Sequence, residues 1–284
     1  MIDAIVGPLG YDFFVRALVA SVLTGLVCAV VGSYVVLKGL AFIGDAISHA
    51  AFPGIVAALL LKGSFYLGAG FAAVATALAI GWVSRHSRLR VDTAIWVVFA
   101  GTFALGVFLF STIRHFVVNP LDLLFGQVLA IGPDDLVGLV VLGALILVVV
   151  GIYWKELLYA TFDPLGAAAS GLPVGRLEYL ILALVALTIV VSVQAVGIIL
   201  VVAMLVTPAA TAQLLSVRFT RLMAVAVLVG IASAVAGLYA SYWFDVASGA
   251  TIVLIQTGLF LVALALRSRP LGGSREAQTV STQG

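Results

Sequence analysis

Nine apolar runs follow one another along the chain, separated by short polar, glycine or proline stretches. A helix needs about 20 apolar residues to cross a bilayer, and each run comes close to that length. The runs cover residues 13–37, 41–61, 64–84, 93–112, 134–153, 178–196, 198–216, 222–243 and 248–266. The stretch from 178 to 216 also admits a different division. The pattern predicts an all-α integral membrane protein with about nine transmembrane helices.

The composition supports this prediction. Of the 284 residues, 64% are hydrophobic and 9% charged, and the mean hydropathy is +1.28. A soluble domain carries about 25% charged residues, so this chain lacks the charged surface that water requires. The polar segment 267–284 is predicted to be a disordered tail behind one transmembrane domain, residues 1–266.

Basic residues are unevenly distributed between alternate loops, and this bias predicts the orientation in the membrane. With nine spans and the N-terminus outside, most Lys and Arg residues fall on the cytoplasmic side. The cytoplasmic set is Lys38, Arg85, Arg88, Arg90, Lys155, Arg176, Arg218, Arg221, Arg267, Arg269 and Arg275, and the outer set is Arg16, Lys62 and Arg114. We therefore expect the N-terminus outside and the C-terminus inside the cell.

Small residues recur every four positions in two of the runs. Such ridges let helix backbones approach closely in lipid, so they predict tight bundling within the chain or between subunits. The ridges are Ser21, Gly25, Ala29 and Ser33 in the first run, and Ala226, Gly230 and Ala234 in the eighth.

The second run carries the one ionisable pair that lies well inside a predicted span. Asp45 and His49 are four residues apart, so a helix places both side chains on one face. Ionisable groups in a membrane are costly and indicate function. Carboxylate oxygen and imidazole nitrogen suit Mn²⁺, Fe²⁺ or Zn²⁺. Two ligands are too few for a specific site, whereas a two-fold dimer supplies four. The alternative is a structural hydrogen bond of His49 to Asp45 or to a neighbouring helix.

Two prolines interrupt apolar runs. Pro53 has no N–H, so the carbonyl of His49 loses its helical partner, and the glycine that follows allows a kink or short unwinding. Pro208 frees the carbonyl of Met204 in the same way, although an ordinary proline kink also explains this run. A freed carbonyl at membrane depth indicates a cavity or an ion. The predicted path or hinge residues are Pro53, Gly54, Met204, Thr207 and Pro208.

The segment ELLYATFDPLGAAASGLPVGR, residues 156–176, links the fifth and sixth runs. Asp163 suits a helix N-cap, Pro164 the first helical position and Gly171 the stop. They predict a short cytoplasmic helix whose small side chains suit a groove on a partner protein. The alternative is a plain connector. The candidate contact residues are Phe162, Asp163, Pro164, Gly166, Ala167, Ala168 and Gly171.

No GxxxxGK[ST], HExxH or Ser-His-Asp pattern occurs in the sequence. The chain is therefore predicted to bind no ATP through a P-loop and not to be an enzyme. No nucleic-acid partner is expected.

Four motifs in order resemble those of the metal-ion ABC transporter permeases, the ABC-3 family. They are VLKGLAFIGDAISHAAFPGI, FDPLGAAASGL, VGIILVVAMLVTPAATAQLL and SGATIVL, and the resemblance runs from about residue 13 to 266. The family's GD-x-x-SH-x-x-x-PG pattern falls on Gly44, Asp45, Ser48, His49, Pro53 and Gly54.

This resemblance implies a homodimeric permease of a bacterial cell membrane, similar in architecture to type II importers. It implies a separate cytoplasmic ATPase that couples to residues 162–171, and a metal-binding protein that delivers the ion from outside. It also implies that Asp45 and His49 contact the metal, with manganese, zinc or iron as substrate. The alternative is an ion-coupled secondary transporter in which Asp45 and His49 relay protons or metal.

Overall fold

Eleven α-helices and no β-strand make up the described part of the protein. The computed structural model describes residues 7–61, 63–87, 89–112 and 131–267. After a short 3-10 helix at Gly7–Gly10, the helices are α1 (Asp12–Leu37), α2 (Ile43–Leu60), α3 (Phe65–His86), α4 (Val91–Ser111), α5 (Pro133–Ile152), α6 (Trp154–Phe162), α7 (Pro164–Ala169), α8 (Val174–Val196), α9 (Ile198–Leu215), α10 (Phe219–Phe244) and α11 (Ser248–Arg267).

Nine helices in the described ranges are long and apolar enough to cross a membrane, namely all except α6 and α7. The prediction of nine spans is confirmed, and the division of the 178–216 stretch lies at Gly197 as predicted. The predicted tail lies outside the described residues apart from Arg267. So do five of the basic residues used to predict the orientation, which are Lys62, Arg88, Arg114, Arg269 and Arg275.

The sequence did not predict α6. This helix begins at Trp154, directly after α5, and turns Leu157 and Ala160 into the core. It brings Trp154 within 5.4 Å of the ring of Phe219, which also lies 5.1 Å from Tyr34. These aromatic contacts join α6 to the end of α1 and the start of α10. As a result, the segment that contains α7 is held against the bundle.

The small-residue ridges of α1 and α10 pack against each other. A Cβ added at Gly25 would lie 3.0 Å from the carbonyl oxygen of Gly230, and one added at Gly230 would lie 2.8 Å from that of Gly25. Any side chain at either position would push the helices apart. The predicted tight bundling is confirmed, and at these residues it is bundling within one chain.

Candidate metal site and coupling segment

Asp45 lies in the first turn of α2 and His49 in the second. The Nε2 atom of His49 is 3.5 Å from the Oδ1 atom of Asp45, so the two side chains share a face of the helix as predicted. The side chains remain 46% exposed for Asp45 and 29% exposed for His49. Their separation exceeds that of a short hydrogen bond, and both groups keep lone pairs for another partner.

A stripe of aromatic residues on α4 borders His49. The imidazole ring lies 5.9 Å from the rings of both Phe99 and Phe103, which stack on each other at 5.8 Å. Trp96 extends the stripe, 5.6 Å from Phe99. These rings restrict the imidazole and exclude water from one side of it. The sequence reasoning missed this wall, although the spacing of residues 96, 99 and 103 is that of one helix face.

Asp45 and His49 do not form a complete metal site by themselves. No group of three or more His, Cys, Asp or Glu side chains that could hold a metal occurs in the described residues. Protein zinc sites use about three or four protein ligands, and Ca²⁺ takes about six to eight oxygen ligands. A metal held by Asp45 and His49 therefore needs further ligands beyond these two side chains.

Pro53 and Gly54 are contact points between helices. The helix α2 continues through both residues from Ile43 to Leu60, so the predicted short unwinding does not occur. A Cβ added at Gly106 of α4 would lie 3.0 Å from the Pro53 ring nitrogen, and one added at Gly54 would collide with the carbonyl oxygen of Gly68 on α3. The two residues therefore fix α2 against α3 and α4 near His49.

The α9 candidates lie mainly in the core. Met204 and Pro208 are buried, whereas Thr207 is half-buried and its carbonyl accepts a hydrogen bond from the Thr211 hydroxyl at 2.8 Å. The helix is continuous across Pro208. Its contact with the start of α2 involves Leu205, whose side chain lies 3.0 Å from the Cβ position of Gly44. Thus α9 supports the helix that carries Asp45.

The predicted short helix is present as α7. The Asp163 carboxylate accepts a hydrogen bond from the Gly166 N–H at 2.8 Å, and Pro164 occupies the first helical position. At the other end Gly171 has a φ of 83°, and the Leu172 N–H donates to the Ala167 carbonyl at 3.0 Å. This is the glycine-based stop expected for such a helix. The segment itself therefore supplies hydrogen-bond partners for backbone groups at both ends of α7.

One detail of the predicted contact surface is wrong. Ala167 is fully buried against its own chain, so its methyl group does not face a partner. The exposed residues here include Phe162 at 59%, Leu165 at 84% and Ala168. In a six-residue helix, one position is enough to change the face that a side chain occupies. The surface offered to solvent is thus apolar and centred on Leu165.

The sequence matches the ABC 3 transport family over residues 10–267. This chain belongs to that family. It is 45% identical over 255 residues to the manganese transport system membrane protein MntC of Halalkalibacterium halodurans, covering 90% of this chain and 87% of the relative. It is 40% identical over 265 residues to a probable iron transport system membrane protein of Haemophilus influenzae, covering 93% and 97%.

A solved structure agrees with this membership. PsaBC from Streptococcus pneumoniae in complex with Fab aligns with a TM-score of 0.81 and 35% identity, covering 93% of this chain and 95% of that chain. The resemblance to metal-ion ABC transporter permeases is confirmed. The protein is a multi-pass permease of the bacterial inner membrane with the fold of that class.

Proposed function

We propose that this chain is the permease of an ATP-driven importer of divalent manganese, with iron as the second candidate. The relatives named for manganese and for iron transport support this choice of metals. The observation that carries the proposal is the partly exposed pair of Asp45 and His49, 3.5 Å apart on a helix that packs closely against its neighbours. An oxygen and nitrogen donor set without thiolate suits both ions. Zinc accepts the same donors and is therefore included as a competitor in the test.

We further propose that two copies form a two-fold dimer with Asp45 and His49 near the axis. Each chain then contributes two ligands to a set of four, and a two-fold interface presents the same surface from both copies. The exposed apolar surface of α4 beside the pair supports this arrangement. Only 17% of the membrane-spanning stretch of α4 is buried inside the protein, against 61% for α2. On α4, Phe103 is 39% exposed and Phe108 is 66% exposed.

Within this arrangement, the other predicted residues have separate roles. Pro53 and Gly54 hold α2 in place against α4 and α3. Thr207 is the α9 candidate that retains exposed surface beside the buried Met204 and Pro208, so we assign it to the transport path. Asp45 is the third residue of α2, so the pair lies near the start of that helix. In the predicted orientation this end of α2 is toward the cytoplasmic side of the membrane.

Coupling to a separate ATPase is assigned to the cytoplasmic face of α7. The support is a locally capped helix with Leu165 and Phe162 exposed, next to a bundle that buries Ala167. Such a helix keeps its shape while its apolar surface is covered by a partner. ATP hydrolysis belongs to that partner, and a binding protein outside the cell delivers the metal.

The proposal is tested by uptake into proteoliposomes that contain the permease, its ATPase and its binding protein. We expect ATP-dependent uptake of Mn²⁺ that excess Fe²⁺ reduces more than excess Zn²⁺ does. Asp45→Asn and His49→Gln should each reduce uptake to background, whereas Asp134→Asn and His86→Gln, which lie elsewhere, should not. Full uptake by both site variants would disprove the metal contact. Uptake driven by an ion gradient without ATP would instead establish the secondary transporter.

A further inference from the structure

A cavity of about 370 Å³ lies at the end of the bundle near Lys38, and neither Asp45 nor His49 lines it. It is lined by the turn after α1, the end of α3, the start of α4, the first turns of α8, and the junction of α6 and α7, where Thr161 and Pro164 reach it. Most of its lining is aliphatic, from residues such as Ile80, Ile181 and Leu182. The charged lining residues are Lys38, Arg85 and Glu178. The cavity therefore has an apolar wall and a charged rim.

Arg85 is fixed on this rim by three residues of α8. Its Nε atom lies 3.6 Å from the Glu178 carboxylate, and its guanidinium carbon lies 5.7 Å from the centre of the Tyr179 ring. Gly175 makes room for the guanidinium, because a Cβ there would collide with the Nη1 atom of Arg85. The α3 arginine is thus positioned before any ligand binds.

Lys38 supplies the second positive charge of the cavity lining. Its side chain is half-buried, and no ion pair or hydrogen bond joins its ammonium group to another side chain in the described ranges. Burial lowers the pKa of Lys38 below its ordinary value, while the charge of Glu178 opposes that shift. Among the lining residues there are therefore two cations and one carboxylate, which leaves a net positive charge on the lining. A half-buried ammonium is stabilised by an anion that enters the cavity.

Trp82 indicates how deep in the membrane the cavity lies. This residue neighbours Gly81 of the cavity wall, is 58% exposed and stacks on His86 at 5.0 Å. Exposed tryptophans of membrane proteins concentrate at the level of the lipid headgroups. The positive rim is therefore at the depth where lipid phosphates lie, and the aliphatic wall is at the depth of the first acyl methylenes.

We propose that this cavity binds an anionic phospholipid, with Lys38 and Arg85 on its phosphate group and the aliphatic wall on its proximal acyl carbons. Basic pockets between transmembrane helices recognise such headgroups by the same chemistry. The bound lipid joins the turn after α1 to α3 and α8 beside α7. It thereby stabilises the ends of the helices that connect the proposed metal site to the proposed coupling helix.

The test compares lipid retention by the purified permease after extraction from nanodiscs that contain equal parts of phosphatidylglycerol and phosphatidylcholine. Native mass spectrometry counts the retained lipids. We expect the permease to retain phosphatidylglycerol preferentially, and Lys38→Gln to reduce that preference about fivefold, as the loss of one lipid-facing basic residue predicts. Lys38→Arg should restore the preference. Arg267→Gln, which removes an exposed cation at the end of α11, should leave it unchanged.

Any one of four results would overturn the proposal. Equal retention of the two lipids, or an unchanged preference in Lys38→Gln, would show that the rim recognises no lipid phosphate. Competition by inorganic phosphate alone, which displaces phosphatidylglycerol at millimolar concentration, would show that the site takes a free anion. If Lys38→Gln instead keeps its lipid but fails to assemble with the ATPase, the cavity contacts the partner protein and the lipid assignment is wrong.

Discussion

Asp45 and Asp163 lie near the start of helices in two regions of the same chain, yet their carboxylates are used differently. The Asp163 carboxylate accepts a hydrogen bond from the Gly166 N–H at 2.8 Å and so completes the start of α7. The Asp45 carboxylate is 46% exposed and has His49 as its neighbour at 3.5 Å. An aspartate that caps its own helix serves local structure, whereas one that remains open is available to a ligand. Substitutions in the two regions should therefore separate effects on metal binding from effects on local helix structure.

The largest effect is expected from Asp45→Ala. Removing an open carboxylate should abolish Mn²⁺ binding by the permease dimer, measured by calorimetry, because both carboxylates, which are two of the four proposed ligands, are lost from the dimer. The midpoint of thermal unfolding should change little, since the Asp45 side chain is 46% exposed. Asp134→Ala serves as the control. Normal Mn²⁺ binding by Asp45→Ala would remove the distinction between the two aspartates.

The next largest effect is expected from Ala168→Trp on the exposed face of α7. The bulky ring should prevent co-purification with the ATPase while the permease folds normally. Ala167→Trp should behave differently and destabilise the bundle by about 1–3 kcal/mol, because its position is already filled.

Val217→Trp is the control for this pair, since Val217 is fully exposed in the loop before α10. If Val217→Trp blocks assembly and Ala168→Trp does not, the coupling surface lies in the loop that contains Arg218 and Arg221. The segment with α7 is then a connector.

A smaller effect is expected from Phe103→Ala. Loss of the ring that lies 5.9 Å from the imidazole should leave His49 present but less restricted, and weaken Mn²⁺ binding about tenfold, as for other groups that orient a metal ligand. Phe108→Ala on the same helix is the matched control, with a more exposed ring. Equal affinities for the two variants would contradict a positioning role for the aromatic wall.

The smallest effect is expected from Asp163→Ala. Loss of the cap should destabilise α7 by about 0.5–2 kcal/mol, while Asp163→Asn, which keeps an acceptor oxygen, should retain most of the stability. Hydrogen exchange of the Gly166 amide provides the measurement. Mn²⁺ binding should not change in either variant. Unchanged exchange in Asp163→Ala would show that the observed hydrogen bond contributes nothing to the helix.

The sequence alone determined much of the fold because its signals are local. Nine apolar runs predicted nine spans, and the stop at Gly171 followed from a backbone conformation that glycine adopts readily. The four-residue spacing of Asp45 and His49 was enough to place them on one helix face. Each of these depends on neighbours within about two turns of helix, which a linear sequence already specifies.

Tertiary structure decided the features that depend on distant residues. The aromatic wall beside His49 exists because α4 packs on α2, and Gly54 is a contact point because α3 crosses there. Ala167 is buried because α6, which the pattern did not predict, turns α7 against the bundle. Helix faces in lipid are apolar on every side, so hydrophobicity does not distinguish the side that meets a neighbour from the side that meets lipid or a partner. Only the packing of the helices makes that choice.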